Sequence, residues 1–486
     1  MLSLFRFALG LLVLLAAAIC SPQAQAGGVI DAGKFPLVGD GKTDNQDFLE
    51  LIFKLATDSG GATILMPVGN FAHSGRLTMP GNSELDGPES AGQLSFLTGT
   101  TPNAQTLTLN GDHIQIKRMT IQGVPGSDAG IAVSNANDIH FLKTFIRGFT
   151  NCIKAMSCKN LRMEGTFMYG ANNGIIMNCP QTSDIQLMFC GFSRSAGTPS
   201  IGLQVSGGDR VTLTGLVADH VGTLFNLSGT DHVAIDGGFY DSCTTAIVAN
   251  KPNLMVTKNN FASCNTVLDV SGSALTNFEF TGNSSTNSNT IIIGLFNSTH
   301  SQILQNTIQG AGNVYLGNGN KQLHFDGNSV NGASIAVFSN NDTDITISKN
   351  NLQNCATGIQ LSRENRCNVD ANVLSTSSGI SVDTSTDVSV TANDLTNMQQ
   401  QGVFLQNNGG KVLIKGNKMT NCGLSPSVNP AAVIYANCPS ASAFDIVLNS
   451  YFGSTANLKY FILTPQSNAS VFADYTNTML PSHVGP

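Results

Sequence analysis

Residues 323–374 read LHFDGNSVNGASIAVFSNNDTDITISKNNLQNCATGIQLSRENRCNVDANVL, and within them Leu323, Ile345 and Cys367 each begin the same short pattern. Each start is followed two residues later by a second apolar side chain (Phe325, Ile347, Val369), which is the alternation of a strand with one face inward. Five residues after each start stands an asparagine (Asn328, Asn350, Asn372), and seven after it another apolar residue (Val330, Leu352, Leu374), so a second strand follows a tight turn. A third apolar run, as in Gly358-Ile359-Gln360-Leu361, completes the unit. A single unit of three short strands cannot bury its apolar face, whereas stacked units can, and this predicts a solenoid.

Outward from this stretch the pattern restarts fourteen times, at spacings of 21 to 26 residues, from Ile114 through Ile139, Leu161, Ile185, Val211, Val233, Leu254, Phe278 and Ser301 to Val388 and Val412. The side chain two residues after every start is apolar. In the last eight repeats the fifth position is asparagine without exception, from Asn259, Asn283 and Asn306 to Asn393 and Asn417. A stacked asparagine tolerates the left-handed backbone of a tight turn. Its amide can donate to the coil on one side and accept from the coil on the other. A leucine-rich solenoid would need leucine at the inward positions and a helical stretch per repeat, and neither is present. The predicted class is all-β: a single-stranded parallel β-helix of about 14 coils.

The ends read differently. Residues 1–26 have the form of a secretory signal, with Arg6, an apolar run from Phe7 to Cys20 and the small-residue site Ala24-Gln25-Ala26. Ile19 is too large for the position before a lipidated cysteine. Residues 27–100 are expected to form an N-terminal cap and first strands, 101–425 the regular β-helix, and 426–486 an irregular C-terminal coil and tail. No later segment is apolar for long enough to span a bilayer. The net charge of -7, with lysine and arginine scattered singly, argues against nucleic acid as a partner. Of the 11 cysteines, Cys243, Cys264, Cys355 and Cys422 all fall ten residues after a start, the placement of small apolar side chains stacked inside a coil. Buried thiols without disulfides are expected.

At the N-terminal end, Gly39-Asp40-Gly41-Lys42-Thr43-Asp44 gives a glycine turn and a helix start, with Thr43 and Gln46 placed for a capping box. Phe48, Leu49, Leu51, Ile52 and Leu55 then have helical spacing, and Gly60 to Phe71 reads as a turn, a buried strand and a loop. The helix is read as the cap over the open end of the stack. Asp40 and Asp44 are read as structural members of this turn. This segment resembles the entry of the pectate-lyase-like superfamily of right-handed parallel β-helix proteins, G-D-G-x-T-D, an amphipathic helix, then G-G-x-[VI]-x-x-P-x-G-x-[YF]. The match covers residues 37–71. Polygalacturonases, rhamnogalacturonases, pectate lyases, uronan epimerases and phage tailspikes share that architecture, so the resemblance implies a right-handed coil and a polysaccharide in a groove, and leaves the reaction open. The N-T-D, D-D, G-H-G and R-I-K signatures of polygalacturonases and the D-P-H-D signature of uronan epimerases do not occur here.

The column eight and nine residues after each start marks a candidate site. In the last eight repeats it holds only Ala, Gly, Ser, Thr, Asn or Gln, as turns commonly do. In consecutive earlier repeats it holds Arg147, Tyr169, Arg194, Asp219 with His220, and Asp241. Asp219 and Asp241 are candidate catalytic carboxylates, one to protonate a leaving oxygen and one to act as base or nucleophile. His220 is a candidate to tune them, and Arg194, Tyr169 and Arg147 are candidate substrate-binding residues. A glycoside hydrolase acting on an acidic or branched polysaccharide needs no cofactor. A lyase would instead use the carboxylates to hold Ca2+, with Arg194 or Lys143 as base. A third reading is a binding or surface protein with no catalysis, in which these charges are ordinary turn residues. The absence of Trp favours it, since Tyr169 and Tyr240 alone are left to stack on sugar rings. The expected partner is polysaccharide and the expected location secreted or periplasmic.

Overall fold

A computed structural model describes residues 28–484 except 90–92, 103, 125, 135, 171, 179–183, 194–199, 228, 272–273, 426–431, 439, 453–459, 465–469 and 473–482. The leader reading at 1–26 and the C-terminal tail therefore lie largely outside the described residues. The chain divides into two compact units, residues 1–231 and 232–486.

In the first unit the coils lay their strands into three parallel sheets, the first coil carrying the helix Gln46–Asp58 where later coils have a third strand. The first sheet runs from Gly28–Asp31 through Ala62–Leu65, Glu84–Asp86, Ile114–Lys117, Ile139–Leu142, Asn160–Glu164 and Asp184–Met188 to Arg210–Thr214. The second runs from Asp40–Asp44 to Val217–Asp219 and the third from Leu77–Pro80 to Thr223–Leu227. The second unit repeats the plan, its first sheet starting at Val233–Asp236, its second at Phe239–Asp241 and its third at Thr245–Ala249. Within a unit start residues pair with the next start, as Ile114 with Ile139, Ile139 with Leu161 and Leu323 with Ile345. Alternation sends positions one and three after the start outward and positions zero and two inward. The inward columns are dry: Phe141, Phe261, Phe280 and Phe325 are almost fully buried, with Phe261 and Phe280 stacked at 6.3 Å between ring centres. Each unit is a right-handed parallel β-helix.

The asparagine ladder forms as expected and reaches one rung further. Asn328 Nδ2 donates to Ile303 O at 2.8 Å and to Asn350 Oδ1 at 3.0 Å, and Asn350 Oδ1 also accepts from the Asn328 backbone N–H at 2.9 Å. The same bonds continue from Asn417 to Asn449. The expectation about the backbone needs correction. The left-handed residue of the turn is the one before each asparagine, Lys258, Gln305, Lys349, Ala371 and Ala392 among them, while the asparagines keep ordinary φ. The asparagine side chain must point inward to reach the next rung, so its neighbour takes the turn.

The cap helix is Gln46–Asp58, burying Leu49, Ile52, Phe53 and Ala56. The expected capping box is absent. Thr43 Oγ1 donates to Asp40 Oδ2 at 2.8 Å, while Gln46 Oε1 accepts from Gly75 N–H at 2.7 Å. Asp44 takes the capping role, accepting from Gln46 N–H at 3.1 Å and from the Ser74 hydroxyl. The helix starts with Asn45 at its N-cap and Gln46 at its first position, so Thr43 lies outside the cap and Gln46 cannot serve as the third residue of a box; its side chain meets Gly75 instead. All nine described cysteines are buried and none is disulfide-bonded.

Candidate functional site

From Met119–Gln122 onward the second-sheet strands of the first unit end on an outward side chain, and these form one column in register: Gln122 beside Arg147, Arg147 beside Tyr169, Tyr169 beside Ser193, and Ser193 beside Asp219. Parallel rungs are about 4.8 Å apart. Arg147 is held flat, donating from Nε at 3.0 Å and Nη2 at 2.7 Å to Gln122 Oε1, with its guanidinium 5.7 Å from the Phe96 ring centre. Tyr169 is exposed and presents its ring to solvent. Asp219 is half-buried at the end of Val217–Asp219, and its Oδ1 meets His220 Nδ1. His220 has φ 56°, at a turn position held by Gly170 in one earlier coil and by Ser263 or Asn287 in later ones. A left-handed histidine costs on the order of 1 kcal/mol relative to glycine. Arg194 lies outside the described residues.

Asp241 belongs to the second unit, at the end of Phe239–Asp241, and accepts from Ser242 Oγ at 3.1 Å. Its column continues with Ala262, Thr286, Gln309, Asn331, Gln353 and Ser375, all neutral. Tyr240 is fully buried and donates to Asn259 Oδ1 at 3.3 Å, so it cannot stack on a sugar.

The outward face of the first sheet also carries charge. In the first unit Gln115, His140, Arg162 and Gln186 share the column one residue after each start. His140 is hydrogen-bonded to Gln115 at 2.6 Å and borders a groove of about 380 Å³ with Asp138, Asn160, Arg162, Asp184 and Gln186. In the second unit a groove of about 620 Å³ crosses five coils on the same sheet, between His300 and Ser389, with Arg366 paired to Asp344. The column one after each start was there to be read: Gln115, His140, Arg162 and Gln186 follow Ile114, Ile139, Leu161 and Ile185.

Residues 276–462 match the family model of the periplasmic copper-binding protein NosD. No curated protein matches the chain. Among solved structures, a hyperthermoactive exopolygalacturonase from Thermotoga maritima is similar at 11% identity over 74% of this chain and 94% of that one, with a TM-score of 0.33. PfbA, a surface adhesin of Streptococcus pneumoniae, is similar at 12% identity over 89% and 93%, with a TM-score of 0.31. ORF18 of Geobacillus virus E2 is similar at 11% identity and a TM-score of 0.32; the match covers 80% of this chain and 61% of that protein.

The NosD match invites a test for copper, which favours thiolate, thioether and imidazole donors. Within the matched segment His300 and His324 project outward from the first sheet, whereas Cys355, Cys367, Cys422 and Cys438 are buried. Burial raises all four thiols, Cys422 to about 12, which keeps them protonated and poor ligands. Among the described residues no three His, Cys, Asp or Glu side chains converge on a point that could hold a metal ion, Asp219 and Asp241 included. These residues do not fit a copper centre. No helix among the described residues is long and apolar enough to cross a membrane.

Proposed function

We propose that this is an exported protein acting on polysaccharide, and that it works as a glycoside hydrolase with Asp219 of the first unit as a catalytic carboxylate; Asp241, in the second unit, is the other carboxylate put to the test. The observation that carries the proposal is the second-sheet column of the first unit, where Arg147, Tyr169 and Asp219 stand in register on coils that end in turns, while the corresponding column of the second unit beyond Asp241 is neutral. The rung spacing suits an extended polymer laid across the coils. Arg147, already flattened against Phe96, and the exposed ring of Tyr169 would position the sugar chain. Asp219, with His220 against its carboxylate, would handle a proton at the glycosidic oxygen or at the attacking water. Export is supported by the leader-like residues 1–26.

The test is release of new reducing ends from polygalacturonate, rhamnogalacturonan, alginate and bacterial exopolysaccharides, with and without Ca2+. Asp219→Asn and Asp241→Asn are each expected to lower turnover at least about tenfold without moving the thermal midpoint. Appearance of an unsaturated uronide chromophore only with Ca2+ would replace the hydrolase by a lyase. Unchanged turnover in both variants would remove the carboxylate pair from the chemistry. A binding role without turnover is the second reading, favoured by the burial of Tyr240, which leaves Tyr169 as the one described tyrosine available to a sugar in this column.

A further inference from the structure

The first sheet of the first unit carries a second site. Gln115, His140 and Arg162 lie one above another on consecutive coils, about 4.8 Å apart, and His140 and Arg162 line a groove open to solvent. Gln115 Nε2 lies 2.6 Å from His140 Nδ1. An amide nitrogen only donates, so Nδ1 is the acceptor and Nε2 carries the imidazole proton. That Nε2–H is buried and has no partner, and the buried Nε–H of Arg162 on the next coil has none either. Two neighbouring orphaned donors are uncommon in a native structure, where buried polar groups are nearly always paired.

The two cations that act on His140 favour an anion beside it. Burial, then Arg162, then Lys117 depress the His140 imidazole to about 4. The nearby carboxylates are each engaged: Glu84 with Lys117 at 2.9 Å, Glu164 with Arg162 Nη2 at 3.7 Å, Asp184 with Arg210 at 2.9 Å, and Asp138 with His113 at 3.1 Å and Asn160 Nδ2 at 2.5 Å. Glu164 engages Arg162 only through Nη2, so its Nε–H remains directed elsewhere.

We propose that His140 Nε2–H and Arg162 Nε–H form an oxyanion-binding site, which takes the carboxylate of an acidic sugar residue or a free sulfate. The sugar source rests on the polysaccharide reading and narrows it to acidic chains; the oxyanion chemistry does not depend on it. The site lies on the first sheet, apart from the Arg147, Tyr169 and Asp219 column on the second. An anion seated there supplies acceptors to both orphaned donors and offsets the two cations acting on His140, so the imidazole takes up a proton more readily once the anion is bound.

The experiment is a titration of the His140 imidazole by NMR on the full chain, alone and with oligogalacturonate, a neutral cello-oligosaccharide or sodium sulfate. The midpoint is expected to rise from about 4 toward the ordinary histidine range with oligogalacturonate or sulfate. A response to oligogalacturonate identifies the sugar carboxylate as the source, and a response to sulfate alone identifies a free anion. Arg162→Gln is expected to weaken binding about tenfold or more, as loss of a charge-assisted hydrogen bond implies. Equal effects of the neutral and acidic oligomers, a midpoint indifferent to every anion, or undiminished binding in Arg162→Gln would overturn the proposal. The wild-type titration decides the matter even where that variant fails to fold. Anion binding without turnover on any polysaccharide would sink the hydrolase and leave this site standing.

Discussion

Asn328→Ala is expected to destabilise the protein by roughly 4 kcal/mol, although it removes a small, neutral side chain. Asn328 Oδ1 accepts from the Asn306 backbone N–H at 3.0 Å and from Asn306 Nδ2 at 2.9 Å, while its own Nδ2 donates to Ile303 O and Asn350 Oδ1. Alanine removes four hydrogen bonds to groups on the two neighbouring coils and leaves the Asn306 N–H unmatched, while Asn306 Nδ2 keeps Phe280 O and Asn350 Oδ1 keeps the Asn328 N–H. Water does not reach this place, since Asn306, Asn328 and Asn350 are each 1% exposed. One orphaned buried donor costs about 1–3 kcal/mol and each of the other three lost bonds about 1 kcal/mol, and partial relaxation brings the sum down from its upper bound. Asn331 is the internal control. It too accepts from an asparagine one coil on, Asn354 at 2.9 Å, but both are exposed, and water can replace that bond. Asn331→Ala should cost less than about 1 kcal/mol. Chemical denaturation of the two variants checks the contrast, and equal losses would mean that the ladder contributes no more than a surface hydrogen bond.

That contrast also shows what could be read from the chain. Inward columns recur at zero, two and seven residues after each start because burial demands the same side-chain chemistry on every coil, and the pairings Leu323 with Ile345 and Ile345 with Cys367 follow directly. The ladder was legible for the same reason. Its local backbone was not, because the left-handed turn falls on residues as different as Lys349 and Ala371, whose identities carry no signal. The capping box failed because the helix starts at Gln46 behind Asn45 and not behind Thr43, a boundary shift of two residues that the local motif does not reveal. At the candidate sites the register placed Arg147, Tyr169 and Asp219 correctly on one column. It missed the partnership of Gln115 and His140, since two residues 25 apart reveal a contact only when the outward columns are read as carefully as the inward ones.

A second ladder, three residues before the starts, leads to the other large effect: Glu364→Gln should stabilise the protein above neutral pH. Ser298, Asn320, Asp342, Glu364 and Ser385 occupy this turn on consecutive coils and are all buried. The Ser298 N–H donates to Asn320 Oδ1, the Asn320 N–H to Asp342 Oδ1, the Asp342 N–H to Glu364 Oε2 and the Glu364 N–H to Ser385 Oγ, at 2.6 to 2.9 Å. Two adjacent acids in such a row cannot both ionise cheaply. Asp342 is the better placed to hold the charge, since it also accepts from Ser339 Oγ at 2.5 Å, Tyr315 OH at 3.3 Å and Asn320 Nδ2 at 3.3 Å. Glu364 accepts from two backbone N–H groups, and burial, then the Asp342 charge, raises it from 4.5 to about 8. A carboxyl whose pKa is higher folded than unfolded binds more protons in the folded state. Its contribution is therefore complete below about 4.5 and is lost as pH rises through about 8. At about 1.4 kcal/mol per pH unit the interval represents on the order of several kcal/mol, in a protein whose total stability is of order ten. Glutamine reproduces the neutral acid in shape and removes the titration. Thermal midpoints measured from about pH 5 to pH 9 should fall for the wild type and stay flatter for Glu364→Gln, with the variant ahead at the alkaline end. Parallel profiles would mean that Glu364 is already ionised in the folded chain, and that the row of N–H donors above and below it tolerates two buried charges in succession.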